Sequence, residues 1–293
     1  MSRRLFISLL IAAVLLAACT SPSTAPSNAA STAAPAAAEP QGCLGSASTA
    51  LVDLQCREVT IAVENAYLPF NYILVSTGQA GGWDYDAWTE ICTRLHCTPK
   101  FVEVAWDGMI QAVSDGQYDV AADGITITAE RAQKADFSTG YIKIQQRLLV
   151  RKGETRFNSL ETFAANESWV LGTQANTANY EAARKILPET RIKAFEQFPF
   201  AIQALITGDV DAVIIDEVAG MGYLGENGEA LELMGPAIAG EELGFVFPKG
   251  SALVAPVNQA LAAMQKDGTL EKLSTRYFSP TFKISNADIK TTN

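Results

Sequence analysis

VTIAVENAYLPF (residues 59–70) opens a stretch that closes with YDVAADGITITAER (118–131), and the order of elements between them decides the fold. Residues 59–63 are short, apolar and β-branched, which reads as a buried strand. Residues 84–95 put Trp88, Ile91, Cys92 and Leu95 at helical spacing, and 101–104 form the next strand. A helix over 108–114 is closed by Asp115 and Gly116, and 118–122 make a third strand. Strand, helix, strand, helix, strand predicts an α/β unit with a parallel sheet and helices on both faces.

The theme recurs downstream. Residues 148–151 are extended, 169–172 form a strand, and a helix over 177–187 stops at Pro188. A strand over 192–195, a helix over 199–207 backed by Gly208, and a strand over 211–215 follow. The chain ends with a strand over 244–247 and helices over 255–266 and 270–277. Two α/β units joined by strands, with no flexible linker, leave a cleft between them. Open α/β sheets bind ligands beyond the carboxyl ends of their strands. Four such loops hold unusual residues. They are 64–70 with Glu64 and Tyr67, 105–108 with Trp106, 123–131 with Asp123 and Arg131, and 214–217 with Asp216.

The start of the chain sets the compartment. Arg3 and Arg4 precede an apolar run over 5–18, 14 residues long. A bilayer-spanning helix needs about 20, so the run fits the core of a signal peptide over 1–18. It ends Leu16-Ala17-Ala18-Cys19, which resembles the lipobox of bacterial lipoproteins, so the mature chain is expected to carry lipid on Cys19. Residues 19–42 are mostly Ala, Ser, Thr and Pro and read as a disordered tether. An exported protein, lipid-anchored on the periplasmic or extracellular side, is the expectation.

The formal charge is −10, and removing Arg3 and Arg4 leaves 20 basic against 32 acidic residues, or −12. Such a surface repels nucleic acid and anionic lipid, so nucleic acid is dropped as a partner. Beyond Cys19 there are Cys43, Cys56, Cys92 and Cys97, which allow three pairings. Proximity favours Cys43 with Cys56 and Cys92 with Cys97. A metal site is not expected, because His96 is the one histidine and the cysteine spacings do not repeat. His96 reads as a surface residue at a helix end, and Glu217, Glu241 and Glu242 as a solvated face.

Gly124 to Arg131, followed by Asp136-Phe137-Ser138, is similar to the signature of the family 3 periplasmic amino-acid-binding proteins of ABC importers. Gly82-Trp83-Asp84-Tyr85-Asp86 resembles that family's helix start, and the run from Gly208 to Asp216 its second-lobe strand. Lys266-Asp267-Gly268-Thr269 and Tyr277-Phe278 resemble its closing helices, so the likeness runs in order from about 59 to 280. It implies the type II periplasmic-binding-protein fold, with a cleft between lobes joined by two hinge strands. Lobe 1 would hold 43–143 and 241–293, and lobe 2 would hold 144–240. Cys92 and Cys97 sit where lysine/arginine/ornithine-type members carry a disulfide.

The resemblance also assigns roles. Arg131 would grip a ligand carboxylate with two parallel hydrogen bonds, helped by Thr126, Thr177 and Ala178. Asp216 would take the ammonium with the Gly124 carbonyl. The family has Gly before a Thr-Thr pair at the second-lobe helix, where this chain has Asn176, Thr177 and Ala178. Asn tolerates a left-handed backbone, so the loop is expected to survive, without a second hydroxyl. Tyr67 and Trp106 match the aromatic walls, and Glu64 and Asp123 the far end of the side chain. Two carboxylates there favour an ammonium or guanidinium, hence arginine or lysine, with glutamine or another polar amino acid as the alternative.

An ABC permease is the implied partner, the chain is expected to be a monomer, and no cofactor is called for. Two rivals remain. Some relatives are dehydratases acting on cyclic acids, and Glu64 or Asp123 would then serve as the acid. Retention of Asp216 and the lack of a nucleophile beside a histidine argue against an enzyme. A ligand-sensing module is the other, although no membrane-spanning or signalling segment follows Asn293.

Overall fold

The strand Arg57–Val63 buries its second half and is paired along both edges, with Cys97–Glu103 and Val120–Ala121 running parallel to it. Beyond Val120–Ala121 the sheet continues with Val246–Phe247 and then Asp136–Phe137, and both of these pairings are antiparallel. The parallel sheet read from local order is therefore right for three strands of five. The reversal comes from Val246–Phe247, which returns from the far end of the chain, so the strand–helix rhythm could not announce it.

A second sheet has the spatial order Ile192–Phe195, Leu171–Gln174, Ala212–Asp216, Ile142–Arg151 and Leu231–Met234. The first three are parallel, and Ile142–Arg151 is antiparallel to both of its neighbours. Ile142–Arg151 is the long element, at 10 residues. Its start pairs with Gly240–Leu243 and its end with Leu231–Met234. Residues near 142–147 and 240–247 thus carry the chain between the two sheets, each of which, with its helices, builds one lobe.

The helices follow their apolar stripes. Trp83–Leu95 buries Trp83, Ala87, Trp88, Ile91, Cys92 and Leu95 along one face, and Asp84 and Asp86 sit in its first turn, where the helix dipole favours acids. Trp83 stacks on Tyr141 at 4.6 Å between ring centroids, and Tyr141 meets Phe245 at the same distance. Replacing a Trp so enclosed by Ala costs about 3–5 kcal/mol. In the second lobe Phe198–Thr207 buries Phe198, Ala201, Ile202 and Leu205 and ends at Gly208 in a left-handed conformation. The tail returns to the first lobe, where the Lys290 N–H donates to the Ile73 carbonyl at 2.8 Å.

The computed structural model describes residues 41–279 and 281–291, without the side chains of 226 and 227. The apolar run 5–18, Cys19 and nearly all of the tether lie outside the described residues. Among the described residues no helix is long and apolar enough to cross a membrane. Both expected disulfides form, Cys43–Cys56 with Cα atoms 5.2 Å apart and Cys92–Cys97 at 4.6 Å.

Two surface expectations are corrected. His96 is only 4% exposed. It caps the helix Trp83–Leu95 at φ 52°, and residues 43–56 lie over that helix end, with Leu51 and Leu54 N–H donating to the Arg94 and Leu95 carbonyls. Glu217 is not a free solvated acid, since it is half-buried and pairs with Arg147 at 2.9 Å. Glu241 is half-buried as well, and only Glu242 of the three is exposed.

Candidate functional site

Strand ends from both lobes converge on one cavity. The loop after Arg57–Val63 supplies Tyr67, whose ring stacks on Phe70 at 5.3 Å and on Phe198 of the other lobe at 5.2 Å. Its hydroxyl donates to Asp216 Oδ2 at 2.7 Å, a bond that also joins the lobes. Gly124 follows Asp123 with φ 55°, and a Cβ there would lie 2.9 Å from the Tyr67 ring. Both the backbone and the close approach require glycine.

Arg131 stands on the helix Ala129–Lys134, which Thr128 caps by accepting from the Arg131 N–H at 3.2 Å. Its Nη1 donates to the Thr126 carbonyl at 3.0 Å, its Nη2 reaches the Asn176 carbonyl at 3.4 Å, and its guanidinium lies 5.3 Å from the Trp106 ring centroid. Burial pulls the guanidinium below its ordinary value, and Glu241 and Asp216 oppose that. Trp106 Nε1 donates to the Ala175 carbonyl at 3.1 Å, a further tie between lobes.

From the second lobe comes Asn176 at φ 59°, the left-handed conformation expected of it. Thr177 caps the helix Ala178–Arg184: its hydroxyl accepts from Tyr180 N–H at 3.1 Å and donates to the Gln174 carbonyl at 2.8 Å. That hydroxyl has spent its one proton on the fold. Asp216, 2% exposed at the end of Ala212–Asp216, accepts from Tyr67 and from Asn179 Nδ2 at 3.1 Å. Burial lifts its carboxyl to about 6 against those two hydrogen bonds.

Of the residues singled out from sequence, Tyr67, Trp106, Asp123, Gly124, Thr126 and Arg131 line the cavity from the first lobe. Thr177, Ala178 and Asp216 line it from the second. Glu64 does not. It is 4% exposed and accepts from Gln174 Nε2 at 2.8 Å, while its Oε2 has no partner. Burial and the neighbouring Asp123 push Glu64 well above the ordinary carboxyl range. Asp123 accepts from Asn71 Nδ2 at 2.7 Å and Glu64 N–H at 3.2 Å, and burial lifts it to about 6. Of the pair, Glu64 is the one raised by its neighbour as well as by burial.

Sequence reading missed Gln174, Asn179 and Phe198, which line the cavity, and Asn71, which braces it from behind. Asn71 Nδ2 also bonds Asp84 Oδ2 at 2.9 Å. The available signals were position alone: Gln174 ends a strand, Asn179 lies in the first turn of a helix, and Phe198 starts one.

Two α/β lobes linked by strands, with opposite charges from each lobe turned into one buried cleft, define a type II periplasmic-binding-protein fold. The chain belongs to the bacterial extracellular solute-binding proteins, family 3, whose sequence profile matches residues 59–280. It is similar to the L-cystine-binding protein TcyJ of Escherichia coli K12, at 28% identity over 219 residues, 74% of this chain and 81% of that one. Among solved structures, an ancestral arginine-binding protein bound to glutamine matches with a TM-score of 0.69 and 31% identity, over 75% of this chain and 97% of the other. The ancestral amino acid-binding protein AncCDT-1, a precursor of cyclohexadienyl dehydratase, matches with a TM-score of 0.70 and 31% identity, over 76% and 96%.

Proposed function

We propose that the chain captures a free L-amino acid between its lobes and delivers it to an ABC permease, with arginine or lysine as the favoured ligand. The observation that carries this is the pairing of Arg131 and Asp216, contributed by different lobes to one cavity. A zwitterionic head group needs a cation and an anion at fixed places, because an unpaired buried charge is costly. Arg131 would hold the carboxylate, with Thr126, Thr177 and Ala178 around it. The Thr177 contribution then falls to its backbone, its hydroxyl being engaged. Asp216 would take the ammonium with the Gly124 carbonyl; with two oxygens it has acceptor capacity beyond Tyr67 and Asn179. A ligand touching both lobes favours the closed arrangement over an open one.

The side chain would lie between Tyr67 and Trp106 toward Asp123, with Glu64 behind. An ionised Asp123 suits a guanidinium or ammonium. A second reading, a neutral polar ligand such as glutamine, is favoured by one specific observation: Glu64 already accepts from Gln174, and burial beside Asp123 pushes its carboxyl toward the neutral form. The retained amine partner Asp216 argues against dehydratase chemistry. Export with lipid on Cys19 completes the proposal, and mass spectrometry of the mature N-terminus from membranes checks it.

A thermal-shift screen of the twenty amino acids with ornithine, citrulline and cystine tests the ligand. A ligand at 100 times its dissociation constant adds about 2.7 kcal/mol of stability. Arginine and lysine are expected to give the largest shifts. Shifts confined to glutamine or cystine would replace the cationic reading and leave the head-group assignment in place. No shift with any of them would overturn both.

A further inference from the structure

On the first lobe, where residues 43–56 cross the end of the helix Trp83–Leu95, an acid, a histidine and a disulfide lie in a row. The His96 ring has Asp53 Oδ1 2.7 Å from Nδ1 and Cys56 Sγ 3.2 Å from Nε2, and Cys56 is bonded to Cys43. The Gln55 backbone N–H and His96 hold Asp53 below the ordinary carboxylate range, so it faces the ring as an anion. Neither the carboxylate nor a disulfide sulfur has a proton to give, so only the imidazolium donates to both. A cation against a sulfur stabilises a thiolate there and makes it a better leaving group. The two sulfurs are not equivalent: Cys56 is buried beside the ring, whereas Cys43 is half-buried.

We propose that Cys43–Cys56 is a thiol–disulfide exchange site for small thiols, with His96 stabilising the leaving Cys56 thiolate and Asp53 as the positioning residue. A thiolate attacks Cys43 Sγ and forms a mixed disulfide. The Cys43–Cys56 bond breaks, its electron pair goes to Cys56 Sγ, and that sulfur takes a proton from His96 Nε2. A second thiol attacks the mixed disulfide and frees Cys43. The two small thiols leave joined as their own disulfide, having supplied the two electrons. Cys92–Cys97 serves as an internal comparison, since both its cysteines are fully buried.

The test uses the full exported chain with glutathione as the probe, quenched by alkylation at intervals. Cys43–Cys56 is expected to open about tenfold or more faster than Cys92–Cys97. Fragment sequencing of the peptide ending at Arg57 should find the first glutathione on Cys43 and the alkyl group on Cys56. His96→Asn, chosen because Asn tolerates the left-handed backbone at this position, should slow that opening about tenfold and leave Cys92–Cys97 unchanged. If His96→Asn loosens the fold, Cys92–Cys97 will open faster, and Asp53→Asn then serves for the same comparison of rates. Equal opening of Cys43–Cys56 in parent and variant, or a first adduct on Cys56, overturns the proposal.

Discussion

At the proposed head-group end of the cavity Arg131 and Asp216 bring opposite charges from different lobes, whereas at the proposed side-chain end Asp123 lines the cavity with Glu64 of the same lobe behind it, two carboxyls together. Burial pushes all four toward their neutral forms. At the head-group end each charge eases the other's shift. At the side-chain end Asp123 drives Glu64 further up, and neutral amides from Gln174 and Asn71 do the stabilising. One end therefore offers the opposite charges that the proposed zwitterionic head requires. The other has an adjustable charge, and the proposal places specificity there.

The largest expected effect breaks the head-group end. Arg131→Ala should leave a ligand carboxylate buried without its cation, at a cost of about 3–5 kcal/mol, or a hundredfold or more in dissociation constant. Calorimetry that found the variant within threefold of the parent would remove Arg131 from the site.

Asp216→Asn should weaken every amino acid about ten- to hundredfold, the equivalent of a charge-assisted hydrogen bond worth roughly 1.5–3 kcal/mol. Its effect on the ligand-free body has the opposite sign. Asp216 is raised from 3.8 to about 6, so its contribution to stability is present below about 4 and lost as pH rises through about 6. The neutral variant should melt higher than the parent at pH 7.5, by about 2–4 °C for each kcal/mol relieved. That advantage should vanish near pH 4. A variant that melts lower at pH 7.5 would mean that Asp216 is held by more than Tyr67 and Asn179.

The side-chain end is probed by Glu64→Gln combined with Asp123→Asn. Arginine should lose about tenfold or more, because its charge-assisted partner is gone, while glutamine should change little. Equal losses for both ligands would show that this end does not read charge.

The contrast between the two ends also explains what sequence could reveal. Arg131 and Asp216 stand in contiguous runs, Gly124 to Arg131 and Gly208 to Asp216, whose local pattern is distinctive. The strand Ile192–Phe195 was legible to the residue, and the last two helices to within one, because apolar periodicity and Gly or Pro breakers mark them. The second-lobe helix begins at Ala178 rather than 177 because Thr177 is its cap. Gln174, Asn71 and Asn179 were not legible, since a neutral amide becomes functional only through a partner such as Glu64, 110 residues away from Gln174. His96 was misread for the same reason: the Cys56 and Asp53 that cover it lie 40 and 43 residues upstream.

The smallest expected effect separates the two ends by proton linkage. An ammonium needs Asp216 ionised, and a cationic side chain also needs Asp123 ionised. Both carboxyls are raised to about 6, so each favours binding above that pH and opposes it below. Relative to pH 8, glutamine should therefore bind about twofold more weakly at pH 6 and arginine about fourfold, since two protons must leave instead of one. Below about pH 5 the plots of log dissociation constant against pH should approach slopes of one and two. Calorimetry with both ligands in the same buffers gives the comparison directly. Identical slopes would mean that Asp123 need not ionise for arginine, which would leave the side-chain end neutral in the complex and favour glutamine.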